Sequence, residues 1–484
     1  MTAVVAQAAL ERPRTAPLAW LRERGMGASV LVAALTAAFG VILVDVTAYI
    51  GALLQADPYI GNSETLEVVV SILSVLLTAV AMYVAAIVTA NTFSTIIAGR
   101  TRRIALMRLI GASARSQRSE VANQGLAVGV IGAVIGAVTG LVLASIGVAI
   151  GDRLLSTSVD DFTTLQPRIV LPVVGVALTT WVAAWVGSRR VLTVTPLQAI
   201  GGSVERSRSE VVARPGRHIG ALVLLVVGAA LLAVGVVAGL VTPLGVVIAF
   251  AGGVLSFTGL AIGAVLVMPP VLRLVGRLFG RSATARLAAE NALRHPERSS
   301  RMAIGVVMGV TLVTMFAVAL ESAKALMMRS GDVPKEFFAP MDAFASVMMV
   351  LVAVSAVIAA VGLVNLLTIG VVQRRRELGL LRSIGLTSRQ VRSMVLLEAA
   401  HVTIAATLVG LVLGIAYGWV AAQSLLGSVP VLPDMQPAGF MLPAVPWMPV
   451  AIIVAATAVL TLIAAVTPTR LATRVAPVEA LAAD

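Results

Sequence analysis

Asp45, Glu398 and His401 are the residues best placed to do chemistry, because each is an ionisable group set in a long apolar run. An acid at such depth is a functional candidate by default. Asp45, in the outer third of the run from Gly27 to about Leu54, is the candidate for ion coupling; the alternative is that it reaches the interface and is solvated there. Glu398 and His401 lie one helical turn apart, a spacing read first as packing or an interfacial position, with proton transfer as the alternative. Asn91 and Asn365 stand at the inner ends of two apolar runs, where amides hydrogen-bond between helices. Cys is absent, which excludes disulfides and thiolate metal sites, and three scattered His residues make no metal site. The two lysines, Lys324 and Lys335, do not follow Gly, so the chain has no phosphate-binding loop of the G-x-x-x-x-G-K-[ST] kind. No catalytic residue and no metal are assigned. Energy, where it is used, comes from a partner or an ion gradient.

The elements that must position these groups are apolar helices interrupted by short basic segments. One such segment, Gln373–Arg392, lies between two apolar runs. Leu378, Leu380, Leu381 and Ile384 recur at near-helical spacing, and Arg occupies most of the remaining positions. Gly385 reads as the stop of this short helix, with Thr387 or Ser388 capping the next. The pattern recurs earlier in the chain. Arg108-Leu-Ile-Gly-Ala-Ser113 lies over Arg382-Ser-Ile-Gly-Leu-Thr387 at an offset of 274, which also sets Arg102 over Arg376, Leu106 over Leu380 and Asn91 over Asn365. Pro196-Leu-Gln-Ala-Ile200 lies over Pro477-Val-Glu-Ala-Leu481 at an offset of 281. The chain is internally duplicated.

Hydrophobic residues make up 59% of the chain and charged residues 12%, against about a quarter charged in soluble proteins, and the mean hydropathy is +1.00. The apolar runs are continuous and of spanning length, so they read as transmembrane helices rather than barrel strands. The expectation is an all-α integral membrane protein with about ten transmembrane helices arranged four, two, four. The spans run at about 27–54, 66–90, 121–150, 169–187, 219–240, 244–268, 302–320, 343–372, 395–425 and 449–466. Grouped by the duplication, residues 1–26 form a cytosolic segment, 27–200 the first four-helix repeat and 201–218 a cytosolic linker. Residues 219–268 form two central helices, 269–301 a basic cytosolic segment and 302–484 the second repeat. Within 269–301, opened by Pro269-Pro270, Ala288–Arg298 reads as a surface helix ending before Pro296.

With the N-terminus inside, the outer loops hold only Arg153, Arg168, Lys324, Arg329 and Lys335 of the 36 basic residues. The net charge of +13 is therefore mostly a positive-inside signature, and nucleic acid needs no place in the account. The basic segments also suit contact with anionic headgroups of the bilayer. Both termini are expected in the cytosol, and the outer loops are too short for an external domain.

The basic run and Glu of Arg374–Glu377, then Leu378-Gly379, Leu380–Arg382, Ile384–Thr387, Glu398 and the closing Pro477-Val-Glu-Ala-Leu481, resemble the FtsX-like (MacB-type) permease domain. The resemblance covers about Ala343–Leu481 and, more weakly, about Leu66–Ile200, where Arg103 replaces Glu377 and Gln124 replaces Glu398. The four-two-four order resembles the ten-span permeases of Bce-type peptide-resistance transporters, without their large external domain between spans seven and eight. The resemblance implies a bacterial cell-membrane permease subunit of an ABC transporter, binding two copies of a separate ATPase subunit that holds the ATP and Mg2+. It implies cytosolic coupling helices at about Thr101–Ser113 and Arg375–Thr387. Carried over, the coupling residues are Arg102, Arg103, Leu106, Met107, Arg108, Ile110 and Gly111 in the first repeat, and Arg375, Arg376, Glu377, Leu378, Leu381, Arg382, Ile384 and Gly385 in the second. The apolar face of Leu378, Leu381 and Ile384 is expected to seat in a groove on the ATPase. The implied activity is export or membrane extraction of an apolar or amphipathic compound. The alternatives are a regulatory membrane protein that transmits ATPase motion without transport, and an ion-driven transporter.

Overall fold

The computed structural model describes residues 26–55, 105–155 except 108, 162–188, 215–278, 282–330 except 295, 375–431 and 435–474, with isolated helical turns between 71 and 90. The described chain is almost wholly helical. In order it forms α1 (Met26–Gln55), α2 (Ala114–Leu155), α3 (Val170–Gly187), α4 (Pro215–Gly239), α5 (Gly245–Gly276), α6 (Ala283–Arg294), α7 (Pro296–Met327), α8 (Arg375–Ser383), α9 (Ser388–Leu426) and α10 (Trp447–Arg474). Two-residue strands, β1 (Pro430–Val431) and β2 (Gln436–Pro437), pair antiparallel in the loop between α9 and α10.

Seven of these helices are long and apolar enough to cross a membrane: α1 to α5, α7 and α9. They answer to expected spans one, three, four, five, six, seven and nine. α10 stands where span ten was expected, with its apolar part at Trp447–Ile463. Span eight lies outside the described residues, and span two is described only in separate turns. Several helices overrun their apolar cores. At 42 and 39 residues, α2 and α9 are about 60 Å long, against about 30 Å of hydrocarbon, so their ends reach into the headgroup region or beyond it.

One boundary differs from the reading of the sequence. Pro269-Pro270 was expected to end the sixth span, yet α5 continues through both prolines to Gly276. The missing N–H groups cost two intrahelical bonds. Met268, Leu272 and Val275 nevertheless enter the largest core cluster, and that burial holds the helix on its course. The α6 helix begins before Ala288, at Ala283, and stops ahead of Pro296 as expected. It is not a solvated surface helix: Ala285, Ala288 and Ala292 form a small-residue face buried against its neighbours.

Glycines set the closest helix approaches. On α2, a Cβ at Gly136 would collide with the Ala34 carbonyl and Ala37, and one at Gly140 with Val41 and Ala38. On α9, a Cβ at Gly410 would meet Val310 and the Val307 carbonyl, and one at Gly414 would meet Thr314 and the Thr311 carbonyl. Gly136 and Gly410 are matched by the offset of 274, as are Gly140 and Gly414. Their partners Ala37 and Val310, and Val41 and Thr314, are matched at 273. The α1–α2 and α7–α9 seams are therefore the same packing built twice. Between them, α4 and α5 form a hairpin with Gly228, Gly235, Gly252 and Gly259 at its contact. α5 is tied to both sides: Tyr83 of the second span shares a 2.8 Å hydrogen bond with Thr258, and Tyr417 of α9 shares one of 2.8 Å with Ser256.

This packing predicts a contrast within one helix. Gly136→Leu should destabilise the fold by about 1–3 kcal/mol, because the atoms it meets are backbone and the Ala37 methyl, which cannot move aside. Gly147→Ala, where nothing lies within 4 Å, should leave stability unchanged or slightly higher. Thermal unfolding of the two detergent-solubilised variants, followed by tryptophan fluorescence, measures the difference.

Candidate coupling surface at the inner ends of the long helices

Each long helix, α2 and α9, is preceded by the same small structure. In the second repeat the nine-residue α8 ends at Gly385, whose φ of +111° is the left-handed conformation that glycine adopts without strain. The Leu386 N–H donates to the Leu381 carbonyl at 3.1 Å, closing the turn. Thr387 then caps α9: its hydroxyl accepts from the Gln390 N–H at 3.2 Å, and the Gln390 side chain accepts from the Thr387 N–H at 2.8 Å. In the first repeat Gly111 has φ +101°, the Ala112 N–H donates to the Met107 carbonyl at 2.9 Å, and the Ser113 hydroxyl accepts from the Ser116 N–H at 3.0 Å. The turn bond and the first cap bond recur at the offset of 274, whereas the reciprocal bond from the Gln390 side chain belongs to the second repeat. Of the two caps expected from the sequence, Thr387 is the one used. The turn is short and fully bonded, so the preceding helical segment is held rigidly to the long helix.

The structure corrects which face of this segment is presented. Leu378, expected to seat in a partner, is 3% exposed and sits in a cluster with Ala288 of α6 and Val391, Met394 and Val395 of α9. Leu381 is half-buried against the same cluster. The outward residues are Leu380 and Ile384, at 45% and 78% exposed, and their matches Leu106 and Ile110, at 49% and 79%. Met107, the match of Leu381, is half-buried in turn. Both repeats thus offer the same pair of exposed apolar side chains one turn apart, next to a left-handed glycine. Glu377 is exposed and Arg382 half-buried. Arg102, Arg103, Arg108, Asn91, Asn365 and the side chains of Arg375 and Arg376 lie outside the described residues.

Glu398 and His401 are buried, and their bonds are structural. Asn291 Nδ2 of α6 donates to Glu398 Oε2 at 2.8 Å, and His401 Nε2–H donates to the Leu272 carbonyl of α5 at 2.6 Å. The first fastens α9 to α6, and the second fastens it to the end of α5. The first repeat has no such cover among the described residues: Ser116, Ser119, Glu120, Asn123, Gln124 and Ala127 line an open polar groove of about 540 Å3 on the matching face of α2. There Gln124 stands for Glu398, and Ala127 for His401. Arg118 instead lies 4.0 Å over the Trp185 ring, joining α2 to α3. Asn291 and Leu272 were not singled out from the sequence. The signal for α6 docking was present in the small residues Ala285, Ala288 and Ala292, which recur at helical spacing on one side.

Asp45 reaches no interface. It is 0% exposed, and neither carboxylate oxygen has a hydrogen-bond partner among the described residues.

Comparison with known proteins agrees with the duplication. The profile of the FtsX-like permease C-terminal family matches residues 75–196 and 349–477, together just over half of the chain, one region in each repeat. A curated relative, an uncharacterized ABC transporter permease, YknZ, of Bacillus subtilis (strain 168), is 32% identical over 83 residues. That match covers 17% of this chain and 20% of the relative, so it spans only a fifth of the relative's length.

The division of faces on α8 predicts opposite results for two neighbouring substitutions. Leu378→Ala should destabilise the permease by about 2–4 kcal/mol, as loss of a buried leucine does. Ile384→Ala should change stability by no more than about 0.5 kcal/mol. Thermal unfolding of the purified permease alone reads both.

Proposed function

The chain belongs to the FtsX-like permease family, and we propose that it is the membrane subunit of an ABC transporter whose two repeats each engage one copy of a separate ATPase. The observation that carries this reading is the matched pair of exposed apolar residues, Leu106 with Ile110 and Leu380 with Ile384, each fixed to the inner end of a long helix. An exposed isoleucine beside Arg-rich sequence is poorly placed in water. Seating it in a groove contributes about 1.5–3 kcal/mol per side chain. The arginines adjacent in sequence, Arg102 and Arg108 in the first repeat and Arg376 in the second, would supply charge for an acidic rim on the ATPase.

The mechanism follows from rigidity. When ATP closes the ATPase pair, the two coupling segments move with it. Because each is bonded through its glycine turn and cap to α2 or α9, the motion passes into helices long enough to cross the bilayer. The glycine seams pass that motion from α2 to α1, and from α9 to α7, as closely packed pairs. The outer end of α9 carries a loop pinned by Gln423, whose Nε2 donates to the Gly439 carbonyl at 2.7 Å and whose Oε1 accepts from the Met441 N–H at 2.6 Å. That loop buries Met441 and exposes Phe440 and Leu442. Phe337-Phe338, the other apolar outer pair in the sequence, lies outside the described residues. Motion of α9 therefore moves an apolar surface at the outer leaflet. This suits export or membrane extraction of an apolar or amphipathic compound, such as a peptide antibiotic, drug or lipid. In this reading the protein lies in the bacterial cytoplasmic membrane with both termini in the cytosol, and the ATPase supplies the nucleotide and Mg2+ sites.

The test is co-purification with the cognate ABC ATPase and stimulation of its ATP hydrolysis, comparing wild type with Ile384→Glu and Ile110→Glu. Each variant should lose most of the stimulation, about tenfold or more, while the permease alone unfolds at the wild-type temperature. Loss with Ile384→Glu alone would leave one working coupling segment. Retention in both variants would overturn the reading.

A further inference from the structure

The α1–α2 seam contains one residue that its packing does not require. Val41 and Tyr49 of α1 face α2, at Gly140 and Gly151. Asp45 lies one turn from each, on the same stripe. The seam between α7 and α9 fills the same position without an ionisable group. By the register of the matched glycines, Asp45 corresponds to Val318, which is 0% exposed and lies against Gly418; the residue opposite Asp45 is Ala144, also buried. One copy of the seam fills this position with valine and the other with a carboxyl group that has no hydrogen-bond partner among the described residues. An isolated buried carboxylate costs several kcal/mol. Even protonated, the group is a buried polar one left unsatisfied. None of α1, α3 or the second span carries Lys or Arg, and the basic residues of α2 lie at its ends, with Arg153 exposed.

The chain above Asp45 is also specific to this copy. Tyr49 Oη donates to Asp152 Oδ1 at 2.6 Å, and the Tyr49 ring meets the Phe162 ring edge-on at a centroid distance of 5.3 Å. In the other copy Tyr49 is matched by Ser322, whose hydroxyl accepts from the Ala444 N–H. The outer end of the first seam therefore combines two carboxyl groups and two aromatic rings. Carboxylates with aromatic faces are the chemistry that recognises ammonium groups. Beside it, α2 presents Val142, Leu143, Ile146 and Ile150 as an exposed apolar flank.

We propose that the outer end of the α1–α2 seam binds the cationic headgroup of an amphiphile, an amine or alkylammonium, with Asp45 as its counter-ion and Asp152, Tyr49 and Phe162 as its mouth. The tail lies along the apolar flank of α2, in the outer leaflet. The headgroup takes the place of the Tyr49 hydroxyl on Asp152, and opening of the seam gives it Asp45. This rests on the transport reading above and narrows its substrate class. It also explains the asymmetry of the repeats: the first seam carries the binding groups, and the second, with Val318 and Ser322, carries none of them.

The experiment is equilibrium binding of dodecyltrimethylammonium, with dodecanol as the uncharged match, to the full-length protein in dodecyl maltoside. Asp45→Asn and Asp45→Val should each weaken ammonium binding about tenfold or more and leave dodecanol binding unchanged. Asp45→Val installs the residue of the second repeat, and its thermal unfolding should match or exceed wild type, which separates lost binding from lost fold. Ammonium binding at wild-type affinity in both variants overturns the proposal. Adding phosphatidylethanolamine distinguishes the source: competition assigns the site to a lipid amine, and its absence assigns it to a free amphiphile, the site standing in either case. Stimulation of the cognate ATPase by the wild-type permease, measured without the probe, decides the transport reading separately.

Discussion

Helices inside a bilayer gain little by hiding apolar side chains from one another, since lipid tails are as apolar as leucine, so their association depends on how closely their backbones approach. In this chain that approach is set by glycine. Gly136 and Gly140, and their matches Gly410 and Gly414, bring α2 onto α1 and α9 onto α7 at distances no side chain would allow. Everything at the membrane surfaces hangs from these two seams. The register they fix decides which residues of α1 face α2, and so places Asp45 inside. They also set the N-terminal ends of α2 and α9, to which the short helical segments ending at Gly111 and Gly385 are bonded. The central hairpin uses the same device and is held to the pair by one tyrosine from each side, Tyr83 and Tyr417.

The α8 segment shows how a nine-residue helix can be presented firmly. Its inner face is not available to a partner, because Leu378 and Leu381 are spent on the cluster shared with α6 and α9. That internal contact orients the outer face. Leu380 and Ile384 then point away from the protein on a platform braced by a bonded turn, a capped helix, and the Asn291–Glu398 and His401–Leu272 hydrogen bonds. In the first repeat the same turn and the same exposed pair occur without the α6 cover, and the matching face of α2 is an open polar groove. The outward surface is thus kept nearly constant between the copies, at 49% and 79% against 45% and 78% exposed, while its support differs.

Much of this architecture was legible in the sequence, for reasons that are local. Apolar length gives spans, Gly385 and Thr387 give a stop and a cap, and repeated residues at a constant offset give the duplication. The facing of α8 was not legible. Its apolar residues form two stripes, Leu378 with Leu381 and Leu380 with Ile384, and periodicity identifies a helix without saying which stripe meets the protein and which the solvent. The prolines at 269 and 270 misled for a related reason. Their local preference is to end a helix, and it is overridden by tertiary burial of Met268, Leu272 and Val275, which no local pattern announces. The Glu398 bond to Asn291 likewise depends on α6, whose docking face is made of alanines and carries almost no hydrophobic contrast.

Asp45 marks the limit of reading by depth alone. Its position along α1 is compatible with solvation at the outer interface, and length arguments place it no better. What removes that option is rotational: Val41 and Tyr49 both face α2, and a residue four from each must face it too. The glycines that fix this rotation are visible in the sequence, on a helix some ninety residues away, but their partners are not. The internal duplication then supplies a comparison that a single copy cannot. Two seams of the same geometry differ at several buried positions, Ala37 against Val310 and Val41 against Thr314 among them; one of these sets a carboxyl group, Asp45, against a valine, Val318, and the next turn out sets Tyr49 against Ser322. Packing accounts for what the two copies share. The residues they do not share, placed where a polar group is costly, are where function must be sought.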